Sequence, residues 1–308
     1  MSVFIVPEGL EGERVDTAVA RMTGVSRSRV ADLMAQGAVW LAEEPLSKPS
    51  FRVSAGMLLT VDMSEPVRVA TTGAGLADGL ALVYQDAHLV VVDKPAGVAA
   101  HPSLGWDGPD VLSHLEAAGV AVATSGAAER RGIVQRLDVG TSGLMVVAKS
   151  EPAYSVLKQQ FRDRSVEKIY LALIQGRLDP LEGTIDAPIG RHPSHAWRFA
   201  VTANGRPSVT HYETLEAHAA VSLLKVHLET GRTHQIRVHL AALRHPCVGD
   251  PLYGADPVLA ARLKLERQWL HATHLGFRHP YTNDWVEFDS TPSTDLQTAL
   301  EIARSDYA

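Results

Sequence analysis

The sequence predicts an α+β protein: a large domain on a mixed, largely antiparallel β-sheet flanked by helices and loops, preceded by a small α/β domain. Three observations carry this. The chain has 308 residues, long for one average domain and comfortable for two. Strand-like runs (HLVVVDKP, LMVVAK, KIYLALIQG, VSLLKVHLET) mix with helical stretches but lack the regular βαβ rhythm of a doubly wound sheet. The first sixty residues read as a separate unit of two helices and short strands. The expected boundaries are 1–63 for that unit, 64–80 for a linker and 81–308 for the large domain.

In chain order, a first helix is expected from Arg14 to Met22, stopping at Thr23-Gly24. Ser26 is a good N-cap for a second helix with Val30, Leu33 and Met34 on one face, and Gly37 ends it. Short strands follow at Ala38–Leu41, Phe51–Val53 and Met57–Val61, with Glu44-Pro45 and Ala55-Gly56 as turn signals. Residues 64–80 contain few large apolar side chains. Their GAGLADG stretch lacks the spacing of a dinucleotide loop and has no strong strand before it. Further on, Ser150 and Pro152 mark the start of a helix carrying Tyr154, Leu157 and Phe161 at helical spacing. Near residue 233, Thr233 is the expected cap of a helix whose Ile236, Leu240 and Leu243 point one way.

Composition narrows the function classes. A hydrophobic fraction of 45% and a charged fraction of 21% are ordinary for a globular protein. The single cysteine, Cys247, excludes a disulfide framework and fits a reducing compartment. No run approaches the ~20 apolar residues of a membrane span, and the amino terminus lacks the basic and apolar regions of a signal peptide. A cytoplasmic monomer is the expectation. The net charge of −6 does not advertise a nucleic-acid binder, so any such role requires a local basic surface.

Four places invite chemistry. Arg27 and Arg29 lie in the first turn of the second helix, where cations oppose the helix dipole by roughly 0.3–1 kcal/mol. They are either solvated or placed to meet phosphate with the free N–H groups there, with Lys48 and Arg52 extending the patch. Asp138 follows an apolar run at a glycine-bearing loop, VGTSG, as a turn former or as a nucleophile or base. Arg237 lies off the apolar stripe of its helix, either on the surface or turned inward toward a carboxylate. Tyr170 faces opposite to Ile169 and Leu171 on its strand, as core or as a stacking platform for a base. The fourteen histidines show no metal-ligand spacing: His234, His239 and His245 fall on different faces. His271 and His274 share a face only if helical, and no HExxH pattern accompanies them. No metal is expected.

Five segments, DKPAGVAAHPS, GIVQRLDVGTSGLMVVAKS, EKIYLALIQG, GRTHQIRVHLAALRHPCVGDPLYG and LHATHLGFRHP, occur in the order and approximate spacing of the pseudouridine synthases of the RluA/RluD type. The resemblance spans roughly residues 82 to 290. Ahead of it, Arg14-Val15-Asp16, SRSRVADLMAQGAV and KPSFRVSAGMLLTV resemble the S4-type RNA-binding domain over about 50 residues. The resemblance implies an enzyme that isomerises uridine to pseudouridine in RNA, most readily large-subunit ribosomal RNA, with transfer RNA or a non-catalytic ribosome-assembly role as alternatives. It implies Asp138 as catalytic carboxylate, Tyr170 against the target uracil, Arg237 paired with the aspartate, and Arg136 and Ile236 as substrate contacts. It also implies no cofactor, because the reaction is redox-neutral and adds no external group. Gln135 departs from the histidine many relatives carry before Arg-Leu-Asp.

Overall fold

In the computed structural model, which describes residues 1–42, 44–63, 67–68, 74–77, 80–102 and 105–306, the chain divides into two units. One comprises Met1–Arg68 with Phe277–Val286, the other Val69–Gly276 with Glu287–Ala308. Most of the stretch expected as a linker, including the ends of GAGLADG, lies outside the described residues. Its described parts, Val67–Arg68 and Ala74–Ala77, are extended.

In the first unit β1 (Ser2–Ile5) precedes α1 (Val15–Thr23) and α2 (Arg27–Ala35). Then come β2 (Val39–Leu41), β3 (Glu44–Pro45), β4 (Leu58–Val61) and β5 (Val67–Arg68). Four strands form an antiparallel sheet in the order β1-β4-β2-β3. Gly24 ends α1 at φ 77°, where L-residues are strained. The Ser26 hydroxyl accepts from the Arg29 N–H at 3.2 Å as the expected cap of α2. Val15, Val19, Val30, Leu33, Leu59 and Val61 close the core between helices and sheet. Phe51–Val53 is not a strand: only Arg52 bridges, to Arg14, because Gly12, Glu13 and Val15 take up the local backbone bonding instead. The strand β1 gave no pattern in advance, since Val3 and Ile5 are exposed.

The second unit opens with β6 (Ala74–Ala77), β7 (Leu80–Gln85), β8 (Leu89–Lys94), α3 (Val111–Ala117) and β9 (Ser142–Ala148). It continues with α4 (Glu151–Asp163), β10 (Glu167–Gln175) and β11 (Glu182–Asp186). Next are β12 (Ile189–His192), β13 (His195–Val201), β14 (Val209–Ala217) and β15 (Val221–Leu228). The chain closes with α5 (Gln235–Ala242), α6 (Pro257–Arg262), β16 (Leu270–Arg278), β17 (Trp285–Asp289) and α7 (Thr294–Asp306), the end of β16 and the start of β17 belonging to the first unit. The main path of its sheet runs β11-β14-β15-β10-β16-β9-β8-β7-β6, while β12 and β13 form a separate hairpin. The runs LVVVDK and SGLMVVA are apolar on both faces because β8 and β9 are central and covered on both sides.

The β9–β16 pair is parallel in this otherwise antiparallel path, with His271 opposite Ser142 and Ala272 opposite Gly143. Gly143 makes that approach feasible: it sits at φ +115°, and a Cβ there would lie 2.3 Å from the Ala272 carbonyl oxygen. The loop just before β9, which carries Asp138, is thereby drawn to the middle of the sheet. Among the described residues no helix is long and apolar enough to cross a membrane.

Candidate active site

Asp138 leaves a buried segment, Ile133, Val134 and Leu137, that is extended without being a strand; only Ile133 bridges, to Val147. The turn that follows is closed by the main-chain carbonyl of Asp138, which accepts from the Thr141 N–H at 3.0 Å. The carboxylate is therefore not consumed as a turn former. It points to Arg237, whose Nη1 donates to Oδ2 at 2.9 Å.

Arg237 is the third residue of α5 and is held from its other edge. Its Nε donates to Asp250 Oδ2 at 2.7 Å and its Nη2 to Oδ1 at 2.9 Å, a bidentate pair in which both side chains are buried. Asp250 is itself fixed by the Leu252 and Tyr253 N–H groups. The Tyr253 ring lies 5.0 Å from the guanidinium carbon, and its hydroxyl meets His234 Nδ1 at 2.7 Å. Burial works against the charge on Arg237, but Asp250 and Asp138 outweigh it and raise its pKa. Two edges of one planar cation thus join a structural carboxylate to the one at the cavity.

Asp138, Tyr170, Leu228, Ile236, Arg237 and Leu270 line a cavity of about 520 Å³, within the range of roughly 300–1,000 Å³ for small-ligand sites. Tyr170 reaches it from β10, whose buried positions Lys168, Tyr170 and Ala172 alternate as a pleat requires. Burial, then the Asp138 charge, raises the Tyr170 pKa, so the phenol stays neutral and offers an intact aromatic face. Asp138 is the single carboxylate in the described lining, while Arg130, Arg136, Lys158, Lys168 and Arg232 all border it. Desolvation, then Arg130, Arg136 and Arg162, lower the Lys158 pKa; desolvation, then Arg206 and Arg164, lower that of Arg232. Such crowding of like charge is a local basic surface on a chain of net charge −6.

Lys94, fully buried, braces the loop around the aspartate: Nζ donates to the carbonyls of Pro95, Val98 and Val139 at 2.9, 2.7 and 3.4 Å. Burial pulls its pKa down to about 7, with Asp138 acting in the opposite direction. Burial also lowers the pKa of His234, whose Nε2 stands 3.9 Å from Asp138 Oδ1.

The structure brings Asp138, Tyr170, Arg237 and Ile236 together, with exposed Arg136 at the mouth donating to Thr233 at 3.3 Å. Arg27, Arg29, Lys48 and Arg52 are not among the cavity's lining residues and belong to the first unit. Arg27 is partly neutralised there, donating to Asp16 at 3.2 Å beside Arg14, and Arg52 bonds the Gly12 carbonyl at 2.6 Å. Arg14 first, with Arg27, holds the Asp16 carboxyl far below the usual carboxylate range despite burial.

Two local expectations are corrected. Thr233 does not cap α5: His234 stands at the cap with φ 56°, and the Gln235 side chain accepts from the Arg232 N–H and Thr230 hydroxyl. Leu243 is 40% exposed, because α5 ends before it. The histidines are spread. His239 bonds Thr210 and the Ala187 carbonyl, His245 bonds the Gln175 carbonyl, and His271 and His274 stand on strand β16, not on a helix. Away from the cavity, Glu167, His274 and Glu287 bring ligand-type atoms within 4.8 Å of one another. Gln135 donates to the Leu144 carbonyl at 3.4 Å.

Asp250, Tyr253 and Lys94 were not singled out from the sequence. A charged residue inside DKPAG and another inside GDPLYG, each flanked by turn formers, were the available signals.

A family model described as RNA pseudouridylate synthase matches residues 88–242, and one described as S4 domain matches residues 13–59. A Mycobacterium tuberculosis protein named as an uncharacterized RNA pseudouridine synthase is 58% identical, with 98% of this chain and 97% of its own length covered. The ribosomal large subunit pseudouridine synthase D of Nitrosomonas europaea is 40% identical, covering 97% of this chain and 87% of its own. Among solved structures, human RNA pseudouridylate synthase domain containing 1 matches with a TM-score of 0.57 at 30% identity, over 71% of this chain and 86% of that one.

Proposed function

This chain belongs to the RNA pseudouridylate synthase family and is an RNA pseudouridine synthase, and from that premise we propose that Asp138 is its catalytic carboxylate and large-subunit ribosomal RNA its substrate. The observation that carries the site is the 2.9 Å contact of Arg237 with Asp138 in a cavity where Asp138 is the single carboxylate among the described lining residues. The relatives named ribosomal large subunit pseudouridine synthase D support the substrate, as does the S4 domain match at residues 13–59.

The reaction breaks the N1–C1′ bond of uridine, turns the uracil and rejoins C1′ to C5. The C5 hydrogen is released as a proton and N1 ends protonated, so water is not consumed. Hydrolytic glycosidases generally place two carboxylates about the bond. One carboxylate with an arginine suits rearrangement. Arg237, donating to the Asp138 carboxylate at 2.9 Å, compensates its partial burial.

Extruding a uridine from folded RNA costs a few kcal/mol. Stacking on the neutral Tyr170 ring recovers about 1–3 kcal/mol. Ile236, Leu228 and Leu270 supply apolar walls that exclude water, and Arg136 with the other rim cations meets the backbone phosphates. Arg27, Arg29, Lys48 and Arg52, in the domain at residues 1–63, add a second phosphate-binding surface.

The test follows the C5 hydrogen. An unmodified large-subunit ribosomal RNA transcript labelled with [5-³H]uridine should release tritium with the wild-type protein and not with Asp138→Asn, at nearly equal RNA affinity. Undiminished turnover by the variant refutes Asp138. Mapping pseudouridines in cells with and without the protein tests the substrate: losses confined to transfer RNA would overturn the ribosomal assignment.

A further inference from the structure

The hairpin of β12 and β13 carries features that the reacting centre does not use. Its register jumps between the pair Arg191–Phe199 and the pair His192–His195, leaving residues 196–198 of β13 as a bulge. Trp197 stands in that bulge with 59% of its surface in water. An indole left so open on a short two-stranded element is an unfavourable arrangement unless something covers it.

Its surroundings say what kind of partner that is. No Asp or Glu occurs between Asp186 and Glu213, in a chain where acidic residues outnumber Lys and Arg by 35 to 29. Within that stretch Arg191, Arg198 and Arg206 are joined by His192 and His195. The Arg198 guanidinium carbon lies 5.7 Å from the Trp197 ring and 5.3 Å from the Tyr253 ring, and its buried Nε has no hydrogen-bond partner. An open aromatic face on an arginine-bearing stretch without carboxylates is complementary to a flat base followed by an anion.

The base of the hairpin is tied to the reacting centre. The Phe199 N–H donates to the Tyr253 hydroxyl at 3.3 Å, Ile189 packs with Val238 and Tyr253, and Tyr253 lies against Arg237. The bulge is thus a fixed extension of the wall that holds Asp138.

We propose that this hairpin is an RNA-contact element in which Trp197 stacks on an unpaired base flanking the target uridine while Arg191 and Arg198 engage adjacent phosphates. The inference rests on the functional reading above and adds a residue-level contact to it.

The experiment compares wild type, Trp197→Leu and Trp197→Phe on the tritiated large-subunit ribosomal RNA transcript, measuring Kd by filter binding and turnover under saturating RNA. Trp197→Leu should weaken binding about 10-fold, the order expected for losing one stacked base, with kcat within twofold of wild type. Trp197→Phe, which keeps an aromatic face, should stay within about threefold in Kd. Equal affinity of the Leu variant overturns the proposal, and so does a Phe variant as weak as Leu. A concentration-dependent dimer abolished by Trp197→Leu, with unchanged RNA affinity, assigns the face to a second copy and also overturns it. A wild-type protein that releases no tritium refutes the functional reading, whereas active wild type with an indifferent Leu variant refutes the hairpin alone.

Discussion

Replacing Asp250 by asparagine separates what Arg237 does for the fold from what it does for the reaction. The variant keeps an oxygen for the Leu252 and Tyr253 N–H groups, yet turns an amide donor toward the Arg237 Nε that now donates to Oδ2 at 2.7 Å. One charge-assisted bond is lost and two donors face each other. Arg237 is then left with the partly exposed Asp138 as its anionic partner. Breaking one side of a buried ion pair costs about 3–5 kcal/mol, and the retained oxygen puts this case near 3 kcal/mol. For a unit of this size that is roughly 6–12 °C in Tm. Turnover should also fall, by ~100-fold, since a guanidinium displaced by about 1 Å no longer meets Asp138 squarely. Urea unfolding and tritium release read the two effects. Asp138→Asn supplies the contrast: it leaves the Arg237–Asp250 pair intact and should lower stability by under about 1 kcal/mol while abolishing turnover. An Asp250→Asn protein within about 1 kcal/mol of wild type and fully active would refute the clamp.

Other outcomes follow from the same contacts. Lys94 has a pKa of about 7 when folded against 10.5 as its ordinary value, so between these the unfolded chain holds more protons. Wild-type stability relative to Lys94→Met should therefore rise with pH from about 7 toward 10, and urea midpoints that stay parallel across that window would contradict the burial of a titrating amine. Gly143→Ala should cost about 3–5 kcal/mol by thermal unfolding, because the new Cβ meets the Ala272 backbone at 2.3 Å in a left-handed conformation. Arg27→Ala with Arg29→Ala should reduce the salt slope of RNA binding by about 1.5 while α1 stays folded, Arg14 still holding Asp16 at 2.8 Å. An unchanged slope removes that patch from the RNA surface.

Local structure was legible wherever its cause was local. Ser26 and Ser150 cap their helices through a hydroxyl and an N–H three residues on, Gly24 ends α1, and the unbroken apolar runs of β8 and β9 mark central strands. The chemistry-bearing residue types in LDVGTSG, KIYLA and HQIRVHL were visible too, and the family resemblance gave them roles. Local pattern failed where a distant contact won. Thr233 lost the cap of α5 because the Gln235 side chain bonds the loop from inside the helix, and Phe51–Val53 stayed out of the sheet because α1's entry segment took its backbone bonds.

By itself, then, the sequence determined the element types, their caps and the presence of an aspartate with a glycine-bearing turn. Only the tertiary structure decided that the Asp138 side chain is free of that turn and meets an arginine 99 positions away. It also decided that Asp250 and Tyr253 orient that arginine, and that Trp197 remains uncovered. Helix and strand preferences act between residues two to four apart, whereas a pair of buried charges is stable only after the sheet order has removed water around it and set both partners in hydrogen-bonding geometry.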